Sequence, residues 1–310
     1  MTIAELLAWG VEAIKPIAPE SAAREASILL AHVLGGPTYQ LTLQRDKAAD
    51  DGVETRFRDL IARRLQRCPV QYLTGECEFY SLKFRVGQGV LIPRPETELL
   101  VEAAIHEMSR LAGREANVLE IGTGSGCVVV GLAVELARTG RSARIVATET
   151  SARALEYARE NARHHGVEDR ITFVHADVLS RGPHGHRRIG PLERQEGPPL
   201  LAEVDAWKFD LLVSNPPYVA EGDLASLAPE VRDWEPHEAL VGGVDGLDVV
   251  RSIVEVGRLV LRPRGAIIVE IGAGQWGPLR SLDWGTMGYE PPFYLPDLAG
   301  IERILRARLA

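Results

Sequence analysis

Up to about residue 70 the apolar positions recur at the spacing of amphipathic helices. Ile3, Leu6, Leu7, Val11 and Ile14 make one such stripe, which Lys15-Pro16 ends. Ser21 is the expected N-cap of a helix over Ala22 to Leu34, with Ile28, Leu29, Val33 and Leu34 inward and Gly35-Gly36-Pro37 as its stop. A third helix is predicted from about Val53 to Arg67, burying Phe57, Leu60, Ile61 and Leu65. Its other face carries Arg56, Arg58, Arg63, Arg64 and Arg67, expected to be solvated, with partner docking as the minority reading. The segment reads as a small helical bundle without chemistry of its own.

Cys68 to Glu76 reads as a connector. Phe79 to Val86 alternates as a strand does, Gly87-Gln88-Gly89 turns it, and Val90 to Ile92 returns, so a hairpin is predicted there. Pro93-Arg94-Pro95-Glu96-Thr97-Glu98 then opens a helix through about Leu111. Proline suits a first helical turn and the acids complement the helix dipole. A stiff, charged hinge between two domains is a common place for a substrate cleft, which makes Arg94 and Glu96 candidate substrate contacts; a helix start accounts for them equally well.

From Asn117 the rhythm becomes strand–helix alternation, the pattern of a parallel sheet covered on both faces. Strands are predicted at Val118 to Ile121, Ile145 to Ala147, Ile171 to Val174, Phe209 to Val213 and Ala266 to Ile271, with helices to about Arg138, over Ser151 to His165 and over about Leu247 to Leu261. The tail from Leu298 to Leu309 fits helix or edge strand by periodicity alone. Residues 180–208, rich in Gly, Pro and Arg, are expected to be a mobile surface insertion; His184 and His186 within it are too few for a metal site.

Composition narrows the class. The 310 residues are 45% hydrophobic and 25% charged, enough for one large domain and a small one. No basic and apolar leader opens the chain and no apolar window reaches the ~18 residues of a membrane span, so a cytoplasmic protein is expected. Cys68, Cys77 and Cys127 have no metal-type spacing and fit a reducing compartment. A net charge of −8 argues against free, non-specific nucleic-acid binding.

The chemistry-bearing residues fall at successive strand ends. Gly122-Thr123-Gly124-Ser125-Gly126 lies between a strand and a helix, where glycines let a ligand approach the backbone; it lacks the Lys of a P-loop and the spaced glycines of dinucleotide sites. Glu149, ending the second strand, is placed to accept from a ribose diol, and Asp177, just past the third, from an adenine amino group. The fourth strand ends in Asn215-Pro216-Pro217-Tyr218. That ending offers a carboxamide carbonyl, backbone carbonyls beside prolines and an aromatic face, which together suit a planar NH2 group.

This ordered set resembles the class I methyltransferases that use S-adenosyl-L-methionine. More closely it resembles the HemK/PrmC family of glutamine N5-methyltransferases. The likeness extends over Pro69-Val-Gln-Tyr-Leu-Thr-Gly75, Leu91-Ile-Pro-Arg-Pro-Glu-Thr-Glu98, Leu119-Glu-Ile-Gly-Thr-Gly-Ser-Gly126, Val213-Ser-Asn-Pro-Pro-Tyr-Val219, Glu235-Pro-His-Glu-Ala-Leu240, Gly243-Val-Asp-Gly-Leu-Asp248 and Asp297-Leu-Ala-Gly-Ile-Glu-Arg303. It implies an α/β fold: a Rossmann-like, mostly parallel seven-stranded sheet, an N-terminal substrate-recognition bundle over residues 1–75, a linking β-hairpin over 76–93 and a methyltransferase domain over 94–310, with the tail as a strand.

By the same resemblance Gly122 to Gly126, Glu149, Asp177, Val178 and Asn215 hold the cofactor, released as S-adenosyl-L-homocysteine, and Asn215 to Tyr218 bind the target glutamine of peptide chain release factors. Glu149 stands where Asp is usual. Rival substrates are a large-subunit ribosomal protein, disfavoured by the Pro93-to-Glu98 linker, and an adenine N6 of nucleic acid, disfavoured by the acidic balance. A non-enzymatic binding scaffold is disfavoured by the intact Asn-Pro-Pro-Tyr.

Overall fold

The computed structural model describes residues 1–111, 114–179 and 208–310. The insertion expected at 180–208, His184 and His186 included, therefore lies outside the described residues except for Lys208. The chain forms two compact units, one of Met1–Glu76, Val86–Gln88 and Leu227–Glu235, the other of Cys77–Arg85, Gly89–Ser226 and Pro236–Ala310. The hairpin is thus grouped with the second unit, and a nine-residue excursion from the later chain, Leu227–Glu235, with the first.

The first unit contains α1 (Ile3–Ile14), α2 (Ala22–Leu34), α3 (Tyr39–Leu43), α4 (Asp51–Leu65) and α5 (Val70–Thr74). Thr2 and Glu5 form a reciprocal capping box at α1, and Asp50 Oδ1 accepts from Val53 N at 2.7 Å to start α4. The apolar stripes meet in a core of Leu6, Ile14, Leu29, Leu30, Phe57 and Ile61. Several expectations change, beginning with Leu65, expected inward but exposed at the end of α4. Ser21 does not cap α2; its hydroxyl donates to Glu25 Oε1 instead. Arg64 does not lie on a solvated face: it is 3% exposed, and its guanidinium pairs with Glu25 at 2.6 Å and with Glu230 at 2.9 Å. The residues expected to be a connector form α5, stopped by Gly75 in the left-handed conformation.

The second unit begins at Cys77, within a hairpin of β1 (Glu76–Phe79) and β2 (Leu82–Arg85). Its turn lies at Tyr80–Ser81, with φ of +54° and +57°, not at Gly87–Gly89 as the sequence suggests, and Val90 to Ile92 form no strand. A two-residue turn with both φ positive matches strand twist, and Tyr-Ser fills it here without the usual Asn-Gly signal. There follow α6 (Glu98–Ser109), β3 (Ala116–Ile121), α7 (Cys127–Arg138), β4 (Ala143–Glu149), α8 (Ala152–His164), β5 (Ile171–His175), β6 (Phe209–Ser214), α9 (Asp248–Val260), β7 (Leu261–Glu270), β8 (Phe293–Pro296) and β9 (Glu302–Arg308).

The seven strands run β5-β4-β3-β6-β7-β9-β8. The first five are parallel and β9 is antiparallel to both neighbours, so the tail is a strand. Successive residues point to opposite faces, and both faces are covered. Val118, Leu211 and Ile268 pack under α6, α7 and α8, while Leu119, Leu212 and Ile267 pack under α9. At the foot of β6, Asp210 accepts from Arg114 Nη1 and Asn117 N, each at 2.9 Å, and from Arg262 at 3.0 Å. Burial would raise the Asp210 carboxyl, but those bonds outweigh it and hold the carboxyl below its ordinary value. The strand that ends in Asn215 is thereby pinned at its opposite end.

Candidate active site

The chain runs outward from β3 in both directions, to β4 and β5 on one side and to β6 and β7 on the other. Such a reversal of strand order leaves a crevice at the carboxyl ends of the strands. A cleft lies there, with an empty volume of about 930 Å3, partly open to solvent. Its walls include Gly122, Gly124, Glu149, Asp177, Val178, Asn215, Pro216 and Pro217, so the ends of four successive strands do converge.

The floor is tied across strands. Thr148 Oγ1 donates to the Glu120 carbonyl at 2.9 Å, Ser214 Oγ donates to the Ile121 carbonyl at 2.7 Å, and the N–H groups of Gly122 and Thr123 both donate to the Thr148 carbonyl. Above it, Glu149 Oε2 accepts from Gly124 N at 2.8 Å, while Oε1 accepts from Thr150 N at 2.8 Å and Ser151 N at 3.0 Å. The carboxylate thus braces the glycine loop against the start of α8. With one protein bond on Oε2, a lone pair remains toward the cleft.

Not every residue of the loop reaches the cleft. Thr123 and Ser125 are buried beneath it, and neither they nor Gly126 form its wall. Gly126 has φ of +79°, and a Cβ there would lie 3.0 Å from the Ala158 backbone, so this glycine serves the close packing of the loop on α8. Arg94, Glu96 and Tyr218 also lie off the wall. They sit around a buried cluster instead: the charge of Arg94 acts on Tyr218, and that of Glu96 on Glu270.

Asn215 is at the junction of cleft and cluster. Its Nδ2 donates to Thr97 Oγ1 at 3.1 Å, and Thr97 is only 1% exposed. Its Oδ1 accepts no hydrogen bond among the described residues and is not a buried orphan, which leaves an open acceptor on a side chain of the cleft wall. Behind it, the Tyr218 hydroxyl donates to Glu270 Oε1 at 3.4 Å, whereas the buried Glu270 Oε2 has no partner among the described residues. Burial pushes the Glu270 carboxyl up to about 7, against the downward pull of the Thr97 and Tyr218 hydroxyls. Burial, helped by the Glu270 charge, pushes the Tyr218 phenol up to about 12.

The sequence reading missed several contributors. Gly89 to Leu91, Pro236, Glu238, Ala239 and Val249 complete the cleft wall. Gly246, with φ of +75°, lies so close that a Cβ would sit 2.3 Å from the Tyr218 carbonyl, and Gln275 Nε2 donates to that carbonyl at 2.9 Å. Together they fix the backbone that follows the two prolines. The Gly243-to-Asp248 motif carried a signal for this, but nothing in the sequence said which backbone it would meet. Thr97 lay inside the Leu91-to-Glu98 motif without a role assigned to it, and Glu270 had no signal of its own.

This sheet and cleft are those of a class I methyltransferase fold. A family model described as a methyltransferase domain matches residues 113–185, and one described as the PrmC N-terminal domain matches residues 5–75. The catalytic domain of hMettl16, solved with a MAT2A 3'UTR hairpin, shares the fold with a TM-score of 0.51 at 17% identity, covering 80% of this chain and 81% of that one. The "Release factor glutamine methyltransferase" of Cereibacter sphaeroides is 37% identical over 309 residues, 100% of this chain and 99% of that protein. That of Geobacter sulfurreducens is also 37% identical, over 99% and 97% of the two chains. The chain belongs to the release factor glutamine methyltransferase family, with the PrmC type of N-terminal domain.

No described helix is long and apolar enough to cross a membrane, and no described cluster of His, Cys, Asp or Glu is arranged to hold a metal ion.

Proposed function

We propose that this protein transfers a methyl group from S-adenosyl-L-methionine to the side-chain amide nitrogen (N5) of the glutamine in the Gly-Gly-Gln motif of peptide chain release factors. The observation that carries the reading is Asn215: its NH2 is committed to Thr97 and its carbonyl oxygen is left open at the cleft, beside Pro216 and Pro217. Family membership, through relatives named for that reaction, supports the choice of substrate.

The donor set suits a nucleoside. Gly122 and Gly124 have open space where a Cβ would stand, so a ligand can lie against their backbone. Glu149 keeps a carboxylate lone pair for ribose hydroxyls, and Val90, Ile121, Val178 and Leu179 supply apolar wall for a base, with Asp177 at its edge. When bound, the cofactor supplies an electrophilic methyl on a sulfonium and leaves as S-adenosyl-L-homocysteine.

An amide nitrogen is a weak nucleophile because its lone pair is delocalised into the carbonyl. Asn215 Oδ1 and the Pro216 carbonyl, which no described backbone N–H engages, can each accept one N–H of the substrate amide. Positive charge developing on the nitrogen then meets two preorganised acceptors, and holding the NH2 at both hydrogens fixes which way the nitrogen faces. The substrate proton becomes acidic as the new N–C bond forms, so no general base is required. The N-terminal helical bundle, residues 1–75, is the proposed recognition domain for the protein substrate.

The test uses labelled S-adenosyl-L-methionine with a purified release factor, the same factor with its Gly-Gly-Gln glutamine replaced, a ribosomal protein and DNA. Label on the first alone supports the reading. Label on the replaced factor, the ribosomal protein or DNA in preference to it refutes the substrate assignment.

A further inference from the structure

We infer that Gln275, just past the end of β7, is a positioning residue for the transfer, because its carboxamide holds the turn that carries both substrate acceptors. The inference rests on the role given above to Asn215 Oδ1 and the Pro216 carbonyl. That turn is poorly placed to hold itself. Pro216 and Pro217 have no backbone N–H, so the chain leaving β6 has two successive residues that cannot donate to a neighbouring segment. Other segments hold it instead. Val219 N donates to the Leu240 carbonyl and Gly242 N to the Val219 carbonyl, each at 2.9 Å. Gly242 and Gly246 then lie directly behind the turn. A Cβ on Gly242 would sit 2.5 Å from the Pro217 carbonyl oxygen, and one on Gly246 would sit 2.3 Å from that of Tyr218.

Gln275 bridges the carbonyls that this close approach brings together. Its Nε2 donates to the Tyr218 carbonyl at 2.9 Å and to the Gly246 carbonyl at 3.3 Å, while its Oε1 accepts from Gly272 N at 2.8 Å. One NH2 thus joins two oxygens that would otherwise repel, and the third bond anchors the carboxamide to the backbone leaving β7. The same network decides which way round the group stands. Turned over, its oxygen would face two carbonyl oxygens and its NH2 would face an N–H. A glutamate of the same shape offers only acceptors when ionised. The hold acts on the reacting groups because the proline rings fix φ at 216 and 217. A stiff turn passes a displacement of Tyr218 on to the Pro216 carbonyl and Asn215 rather than absorbing it.

Steady-state methylation of a release factor and the Kd for S-adenosyl-L-methionine, measured on the full chain, test this. Gln275→Met keeps the length of the side chain and removes its donors and acceptor; kcat should fall about 10²-fold with cofactor Kd unchanged. Gln275→Glu keeps the shape. Ionised, its carboxylate opposes the Tyr218 and Gly246 carbonyls; protonated, it can donate to one of them again. Its kcat relative to wild type should therefore climb as pH falls, while the same ratio for Gln275→Met stays flat. The ionisable groups about the turn, Tyr218 and Glu270 with Arg94 and Arg303, and Asp245 with Arg251, are common to all three proteins and cancel in the ratio. Wild-type kcat in Gln275→Met, a pH-independent ratio for Gln275→Glu, or a loss confined to KM would overturn the inference. If Gln275→Met does not fold, as read by its thermal midpoint and cofactor binding, the pH course of Gln275→Glu decides it. A wild-type protein that never labels the release-factor glutamine defeats the functional reading instead. Full turnover by Gln275→Met beside an active wild type defeats only the positioning role.

Discussion

Glu230 meets Arg64 at 2.9 Å inside the helical unit, although the two residues come from opposite halves of the chain. Arg64 also holds Glu25, and Arg67 reaches Glu230 at 3.2 Å, so the excursion Leu227–Glu235 is fastened to the first unit by charge. Removing one member of a buried ion pair strands the others at about 3–5 kcal/mol. Glu25 and Glu230 keep side-chain exposures of 14% and 21%, which places Arg64→Ala at the low end, about 3 kcal/mol. Urea denaturation measures it; a change within error of zero would mean the triad is mere surface pairing.

The same cluster gives a pH dependence. Burial would raise the Glu230 carboxyl, but a backbone hydrogen bond and the Arg64 and Arg67 bonds bring it below its ordinary value of 4.5. A carboxyl depressed on folding adds stability above its unfolded value and loses it as pH falls through the folded one. Wild type should therefore lose more stability than Glu230→Gln as pH drops below about 4.5. Parallel acid titrations of the two would expose the error.

Glu120 should behave in the opposite sense. Burial pushes its carboxyl from 4.5 up to about 8, eased by the Thr123 hydroxyl and aggravated by the Glu149 charge. An acid raised on folding contributes stability that is full below its unfolded value and fades as pH rises through the folded one. Thermal midpoints of Glu120→Gln should then gain on wild type between pH 4.5 and about pH 8, the window those values define. Parallel midpoints across that range would show that Glu120 is not buried as described.

Asn215→Ala should lower kcat by about 10²–10³-fold while cofactor affinity holds, because Gly122, Gly124, Glu149 and Val178 are left in place. Calorimetric binding alongside a turnover assay separates the two. Wild-type turnover in this variant would discard the two-acceptor mechanism.

Gly124 and Gly126, two residues apart, should fail differently. Both have positive φ, which costs an alanine about 1–2 kcal/mol. At Gly126 the new methyl also strikes Ala158, so Gly126→Ala should lose the more stability. At Gly124 it meets no protein atom within 4 Å, so Gly124→Ala should fold and lose affinity for S-adenosyl-L-methionine. Equal affinities in Gly124→Ala and wild type would place the ligand elsewhere.

The parallel strands were legible because buried strands such as Phe209–Ser214 must be apolar on both faces. The glycine loop, Glu149, Asp177 and Asn215 were legible because each falls where such a strand stops. The hairpin turn was not, since Tyr80 and Ser81 carry no marker of positive φ. Arg64 was misplaced because its partner Glu230 arrives from a remote segment, which local periodicity cannot see. Thr97 and Glu270 escaped for the same reason: only sheet register brings the end of β7 beside the end of β6. The tail's strand state rested on resemblance, because periodicity left it open.

Strand β9 lies between β7 and β8 in the sheet although it follows both in the chain. As the polypeptide is synthesised, β7 is available well before its antiparallel neighbour, and the short β8 has nothing to pair with until β9 is inserted. The last segment of the sheet is thus sealed only after nearly all of the chain has emerged. A nascent protein stalled before Glu302 would display the free margin of β7, an open template for unwanted association.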